Sequence, residues 1–174
     1  MDIDTVDFFS EPYDCAILLG SGSFGDETCS AKLFDEWLIP ICAPSLLASG
    51  HVNLSEGEII HPSPDKRDWR RWLTGAKIDA DFDMTRGQVF DTLEQGNVAA
   101  IAGHGVSIGD LALCAQSIER GELAIPFKTA VYTGDGYYMV WPERSSKDSG
   151  IRRLLTFLQG VTPSIDYSDI SYVK

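Results

Sequence analysis

Short apolar runs alternate with helix-forming stretches along most of this chain, and the alternation constrains its fold more than any other feature. Runs typical of strands lie at 14–20, 33–42, 58–61, 106–109, 123–127, 130–132 and 137–141. Stretches with helical spacing or helix caps lie at 44–48, 65–75, 91–102, 110–120 and 151–158. Strands and helices that alternate in this way pack as helix layers on a sheet, so the pattern predicts an α/β domain rather than a β-sandwich or a helical bundle.

Two of these segments predict burial directly. The run at 14–20 is apolar from Cys15 to Leu19, which is typical of a strand buried on both faces. In the 65–75 stretch, Trp69 and Trp72 share one helical face, and this spacing favours a place in the core over a ligand-stacking role.

The ends and faces of three further segments carry predictions of their own. Asp91 is predicted to cap the helix at 91–102, because a carboxylate there accepts from free helix amides. The helix at 151–158 is predicted to bury one apolar face, formed by Leu154, Leu155 and Phe157. Residues 161–174 are typical of a loosely held tail.

The charge of the chain limits its partners. It has 26 acidic and 14 basic residues among 174, a formal net charge of −12. This field repels phosphates, so we expect the chain alone to bind neither DNA nor membranes. The acidic start Met1-Asp2-Ile3-Asp4 is unlike a secretory signal. Together with four scattered cysteines, it predicts a cytoplasmic protein with reduced thiols.

Residues suited to catalysis or metal binding are sparse. The three histidines have no metal-ligand spacing, and no Gly-x-Ser-x-Gly motif occurs. The glycine-rich loop 20–25 lacks the Lys-Ser/Thr ending of a phosphate loop. We therefore expect no cofactor, no metal and no catalytic residue. Cys114 with His104 remains the open alternative for an enzyme.

Seven segments taken in order form a more specific pattern than any one of them. They are Asp14–Gly20, Leu33–Leu47, Asp68–Leu73, Phe90–Asp91, Ala99–Gly109, Gly121–Phe127 and Tyr137–Pro142. In this order, over residues 14 to 158, the chain resembles the effector-binding domain of LysR-type transcriptional regulators. The branch that it resembles is that of the glycine-cleavage activator.

The resemblance implies a two-lobed α/β fold like that of type 2 periplasmic binding proteins, with a small effector in the cleft between the lobes. Lobe one would comprise residues 1–35 and 127–174. Lobe two would comprise residues 36–126, with crossover strands near 36–42 and 123–127. Relatives carry a winged helix-turn-helix and the first part of the effector domain ahead of these segments. The resemblance therefore describes an N-terminally truncated member that would reach DNA only through the missing domain.

By the same resemblance, the ligand-binding residues would be Leu19, Ser21, Thr92, His104, Gly105, and one of Tyr137 and Tyr138. Thr92 starts a helix, where free amides and the positive end of the helix dipole favour an acceptor or an anion. A tyrosine hydroxyl can orient a ligand in an apolar pocket. Helix capping and core packing stay open as alternatives at each of these positions.

The resulting hypothesis is a cytoplasmic, dimeric regulatory domain that senses a small metabolite and catalyses no reaction. An alternative from another class is a periplasmic-type solute-binding protein of a transporter, which shares the fold but requires export. A third possibility is an enzyme that acts through Cys114 or His104.

Overall fold

A computed structural model describes residues 8, 12–48, 52, 54, 57–78, 83–145, 148–163 and 165–174. The chain divides into two compact units. Unit 1 comprises Met1–Glu36 and Gly134–Pro163, and unit 2 comprises Trp37–Thr133 and Ser164–Lys174. Within the described ranges, no helix has both the length and the apolar character needed to cross a membrane.

Strands and helices alternate as the sequence predicts, which confirms the α/β class. The described strands are β1 (Ala16–Gly20), β2 (Thr28–Ile41), β3 (Ile60–His61), β4 (Gln88–Val89), β5 (Ser107–Asp110), β6 (Thr129–Pro142) and β7 (Ser171–Val173). The described helices are α1 (Pro44–Leu47), α2 (Arg67–Ala76), α3 (Leu93–Ile101), α4 (Leu111–Glu119) and α5 (Ser149–Val161). A short 3-10 helix, Glu143–Ser145, follows β6.

The main sheet has the strand order β1-β6-β2-β5, and β7 pairs with β6. β1 pairs with β6, and β2 with β5, in antiparallel fashion, whereas β7 is parallel to β6. β3 and β4 form a separate parallel pair. The strand predicted at 123–127 is wrong, since only Ala124 bridges to Cys42 there. Pro126 has no amide hydrogen with which to extend that ladder.

Two long strands run through both units. β2 leaves unit 1 after Glu36, and β6 leaves unit 2 after Thr133. At the second passage Gly134 has a φ of 92°, a conformation that glycine adopts without a steric cost. The lobe boundaries expected from the sequence stay a prediction. The two units place Glu36 in unit 1 and residues 127–133 and 164–174 in unit 2.

The end of β2 supplies the centre of unit 2. Leu38 and Cys42 belong to the apolar cluster that contains the tryptophans of α2. Trp37, Ile39 and Ile41 belong to a second cluster, which contains side chains of α3 and α4. Because successive side chains of a strand point to opposite faces, this part of the sheet is covered on both sides.

Helix α2 confirms the core role predicted for its tryptophans. Trp69 and Trp72 are both 0% exposed, and their rings meet edge to face with centroids 5.9 Å apart. The Nε1–H of Trp69 donates to the carbonyl of Ile60, and that of Trp72 to the carbonyl of Thr129, each at 2.8 Å. Each ring therefore buries apolar area without leaving its polar atom unpaired.

Strand β1 in unit 1 is less covered than predicted. Among the described strands it pairs with β6 alone, and Ile17 is 53% exposed. The other residues of β1 are half-buried. The prediction of a strand buried on both faces is therefore wrong for this run.

Helix α5 in unit 1 buries a different face from the predicted one. Ile151 is buried and Leu155 is half-buried, which a spacing of one helical turn explains. Leu154 is 39% exposed and Phe157 is 62% exposed, so their predicted inward orientation is wrong. The predicted face mixed residues that lie on opposite sides of the helix.

The C-terminal residues are more ordered than predicted. β7 pairs with Thr129–Val131 of β6, and Ile170 is 8% exposed within the core of unit 2. Lys128 and Asp169 form an ion pair at 2.8 Å. The prediction of a loose tail is therefore wrong for residues 165–174, because strand pairing and apolar burial hold them.

Candidate functional site

The pairing register of β1 and β6 decides which predicted ligand-binding residues of unit 1 share a face of the sheet. Leu19 lies opposite Tyr137, and Leu18 lies opposite Tyr138. Directly opposed residues share a face of a sheet, whereas neighbours along a strand do not. Leu19 and Tyr137 therefore lie together, and Tyr138 lies on the other face. Ser21 follows the end of β1 and is exposed.

The two tyrosines have different surroundings. The ring of Tyr137 stacks on Phe34 with centroids 4.7 Å apart. Tyr138 meets Phe24 edge to face at 5.2 Å and lies 5.5 Å from Nζ of Lys32. Hydrogen bonds to Asp35 and Tyr138 raise the pKa of Lys32. Tyr138 thus forms a cluster with Phe24 and Lys32. Tyr137 lies on the other face of the sheet, with Leu19.

In unit 2, Thr92 begins the helix one residue later than predicted. Its Oγ1 accepts from the amide of Gln95 at 3.3 Å, while Oε1 of Gln95 accepts from the amide of Asp91 at 3.2 Å. Asp91 is therefore not the cap, because the reciprocal pair of hydrogen bonds centres on Thr92. The amides of Leu93 and Glu94 have no acceptor within the helix. They supply the positive helix end that the sequence analysis associates with an acceptor or an anion.

His104 and Gly105 lie beyond the other end of α3. Gly103 has a φ of 81°, and the amide of His104 donates to the carbonyl of Ala99 at 3.1 Å, as in a glycine-terminated helix end. A Cβ at Gly105 would lie 2.4 Å from the carbonyl oxygen of Glu58. Gly105 therefore has a packing role of its own, while His104 is exposed.

A groove of about 560 Å³ runs along α3. Its lining residues include Phe90, Glu94, Val98, Ala102 and His104. Of the predicted site residues, the groove includes only His104. Sequence reasoning missed Val98, because an apolar residue in a helical pattern gives no signal that it is exposed. It also did not select Phe90, which is half-buried and lies ahead of α3.

Cys114 lacks the environment of a nucleophile. It is 2% exposed, and burial raises the pKa of its thiol to about 12, with the charge of Asp110 adding to the effect. Nδ2 of Asn97 donates to its Sγ at 3.4 Å. Reactive cysteines have lowered pKa values, so the raised pKa of this thiol argues against a nucleophilic role for Cys114. Among the described residues, no group of three or more His, Cys, Asp or Glu could hold a metal.

Comparison with known proteins identifies the family that this chain matches. The model of the LysR substrate binding domain matches residues 4–163. The "Glycine cleavage system transcriptional activator" of Escherichia coli (strain K12) is 26% identical over 139 residues, which are 77% of this chain and 45% of that protein. The "HTH-type transcriptional activator AmpR" of Pseudomonas aeruginosa is 31% identical over 131 residues, 74% of this chain and 44% of that protein.

The solved structures agree with the sequence relatives. The effector domain of AmpR from Pseudomonas aeruginosa superposes with a TM-score of 0.73 at 26% identity, over 90% of this chain and 75% of that chain. This confirms the type 2 periplasmic-binding-protein-like α/β fold. The chain spans less than half the length of the curated relatives that it matches.

The family model covers nearly the whole chain, and it describes transcriptional regulators rather than enzymes. The resemblance to LysR-type regulators is confirmed by the same matches, and the glycine cleavage activator is among the relatives that match. The chain therefore belongs to the LysR substrate-binding domain family, the effector-binding domain of LysR-type transcriptional regulators.

Proposed function

We propose that this chain senses a small metabolite in the inter-lobe cleft of its fold, and that it does so in the cytoplasm as part of a homodimeric regulator. Contact with DNA would be made by a separate domain of that regulator, because a chain of net charge −12 repels DNA. The observation that carries the proposal is the family match over residues 4–163.

Each proposed binding residue has a chemical role. Leu19 and Tyr137 share a face of the sheet, so they would supply an apolar wall with one hydroxyl to orient the ligand. Thr92 would present the first amides of α3 to an acceptor group of the effector.

The remaining proposed contacts are more peripheral. Ser21 and His104 are exposed polar side chains that can donate or accept hydrogen bonds. Gly105 would act through its backbone, and Tyr138 through the cluster that it forms with Phe24. The proteins compared above are regulators, so a transporter's solute-binding protein gains no support from them. The raised pKa of Cys114 likewise speaks against an enzyme.

Ligand-induced stabilisation tests the proposal directly. Thermal unfolding of the chain is measured against a broad panel of amino acids and small metabolites. A ligand at a hundred times its Kd stabilises the folded state by about 2.7 kcal/mol, which raises the Tm measurably. If no compound in a broad panel changes the Tm, the sensing role is wrong.

A conservative variant then tests the binding residues. Tyr137→Phe removes one hydroxyl and keeps the ring that stacks on Phe34. We expect about a tenfold higher Kd for the effector, through the loss of one hydrogen bond to the ligand. Tyr13→Phe is the matched control, since Tyr13 is 57% exposed and is not proposed as a contact. Equal affinities of the two variants would remove Tyr137 from the site.

A further inference from the structure

Helix α2 and its two flanking turns concentrate positive charge in an acidic chain. Residues 65–77 contain five basic and two acidic residues, a net charge of +3. The other residues of the chain contain nine basic and 24 acidic ones, a net charge of −15. A patch of charge opposite in sign to the rest of a protein attracts and orients a partner of complementary charge.

The basic side chains lie on one face of α2, which we call the basic face. It consists of Arg67, Arg70, Arg71 and Lys77, all of them exposed. The three arginines are three or four residues apart, and Lys77 comes two turns after Arg70, so the four positions share one side of the helix. The tryptophans of α2 are buried on the other side. The basic face therefore points to solvent over about 15 Å, at 1.5 Å per residue.

Acidic neighbours offset only part of this charge. Asp68 is 5% exposed and accepts from Oγ of Ser63 at 2.7 Å. Nε of Arg67 lies 3.8 Å from Oδ1 of Asp68, which is longer than a hydrogen bond, and the Arg67 side chain stays 54% exposed. Asp83 accepts from both the amide and the hydroxyl of Thr85. These carboxylates thus take part in local turns, and the guanidinium of Arg67 keeps its access to solvent.

The start of α2 gains no stability from its basic residues. Lys66 is the N-cap, with a φ of 56° and no side-chain bond to the helix amides. Arg67 is the first helical residue. Cations beside the positive end of a helix dipole lower the stability of the helix. Residues that break a local stability rule in this way are expected where they serve binding.

The spacing of the basic face favours a helical partner with carboxylates. Guanidinium groups pair with carboxylates through two parallel hydrogen bonds. Arg67 and Arg71 are one turn apart, about 5–6 Å, and so are acidic residues four apart on a second helix that lies alongside. DNA is a long rod of negative charge, and it would extend past the basic face over a chain whose other residues carry −15. An acidic helix of about three turns ends with the basic face.

We propose that the basic face of α2 binds an acidic helix of another protein, in which carboxylates one turn apart pair with Arg67 and Arg71. Lys77 extends the same surface toward the C-terminal end of α2. The contact uses residues of unit 2 alone and does not require the effector. It gives the domain a surface for recruiting a protein partner, which goes beyond the sensing role.

Fluorescence anisotropy with two labelled helical peptides tests the proposal. One peptide has Glu at positions three and four residues apart along one face, and the matched peptide has Gln at the same positions. The wild-type chain should bind the Glu peptide about tenfold more tightly than the Gln peptide at low salt. The affinity for the Glu peptide should decrease as salt rises, because salt screens exposed charges.

A double variant then locates the surface. Arg67→Gln with Arg71→Gln should raise the Kd for the Glu peptide about tenfold, because two charged pairs are lost. Arg70 is left in place, since its guanidinium donates to the carbonyl of Asp65. Arg152→Gln with Arg153→Gln is the matched control, because it removes the same charge from exposed positions of α5. It should change the Kd less than about twofold. Circular dichroism checks that both double variants are folded.

Duplex DNA of the same length as the peptide helix is the third probe, and it should bind more weakly than the Glu peptide at the same salt concentration. Equal or tighter DNA binding would assign the basic face to phosphates and overturn the proposal. So would a wild-type chain that does not bind the Glu peptide at low salt, equal Kd values for the two peptides, or equal effects of the two double variants. Thermal shift with metabolites reads out the effector site separately, so this surface and the sensing role can fail independently.

Discussion

Two continuous apolar runs of this chain have similar compositions but differ in how deeply they are buried. The run at the end of β2, from Trp37 to Cys42, has all its apolar residues at 7% exposure or less. The run that forms β1 is half-buried, and its Ile17 is 53% exposed. The difference lies in the neighbours, because β2 has an apolar cluster on each face. An apolar run thus indicates that a strand can be buried on both faces, while the layers that pack on it decide whether it is.

The largest expected effect compares the same substitution in the two runs. Ile39 in β2 is 0% exposed, so Ile39→Ala should lower the free energy of unfolding by about 3 kcal/mol through lost burial and a cavity. Ile17→Ala in β1 should cost less than about 1 kcal/mol. Urea unfolding of both variants measures the difference. Equal costs would show that β1 is as well covered as β2.

A second comparison uses glycines inside helices of the two units. A Cβ at Gly75 in α2 would lie 2.3 Å from Cγ1 of the buried Val131. Gly75→Ala should therefore lower the free energy of unfolding by about 1 to 2 kcal/mol, despite the better helix propensity of alanine.

The matched control lies in α5. No atom lies within 4 Å of a Cβ added at Gly160, so Gly160→Ala should raise the free energy of unfolding by about 0.5 to 1 kcal/mol. Thermal unfolding of the two variants should shift in opposite directions. A stabilising Gly75→Ala would mean that α2 packs on Val131 less tightly than described.

The third comparison concerns a buried polar group in unit 2, and its effect depends on pH. His61 is 0% exposed; its Nε2 donates to the carbonyl of Arg86 at 2.7 Å, and Nδ1 has no hydrogen-bond partner among the described residues. Burial lowers the pKa of His61, and the positive charge of Lys66 adds to this, against the opposing bond to Arg86.

The sign of the pH dependence follows from that shift. As the pH falls below about 6.5, the unfolded chain takes up the proton before the folded one does. Stability is therefore full above this pH and decreases below it, by up to about 1.4 kcal/mol per pH unit. Urea unfolding between pH 7.5 and 5.5 measures the slope. His61→Gln should flatten it, whereas His104→Gln, at an exposed position, should retain it; identical slopes for wild type and His61→Gln would contradict the assignment.

Local sequence predicts the buried face of helix α2 correctly, but it does not fix the first residue of helix α3. The tryptophans of α2 were assigned correctly, because two large rings one turn apart leave a single plausible core face. The start of α3 was displaced by one residue, since Asp91 and Thr92 are both good caps. The side chain of Gln95 decides between them by reaching back to the amide of Asp91.

The candidate site was predictable only in part. Its residues followed from a family resemblance, and the register of β1 and β6 then separated Tyr137 from Tyr138. The groove along α3 and the exposed apolar face of α5 gave no sequence signal, because an exposed Val98 or Phe157 is indistinguishable by pattern from a buried one.

By itself, the sequence determined the α/β class, the family, and the core role of the α2 tryptophans, because periodicity and motif order are local properties of the chain. Only the tertiary structure decided which apolar run is covered on both faces, where the units divide, and which helical face stays exposed. Those outcomes depend on packing between residues far apart in the chain. Burial is a property of both partners in a contact, and one partner's sequence does not specify the other.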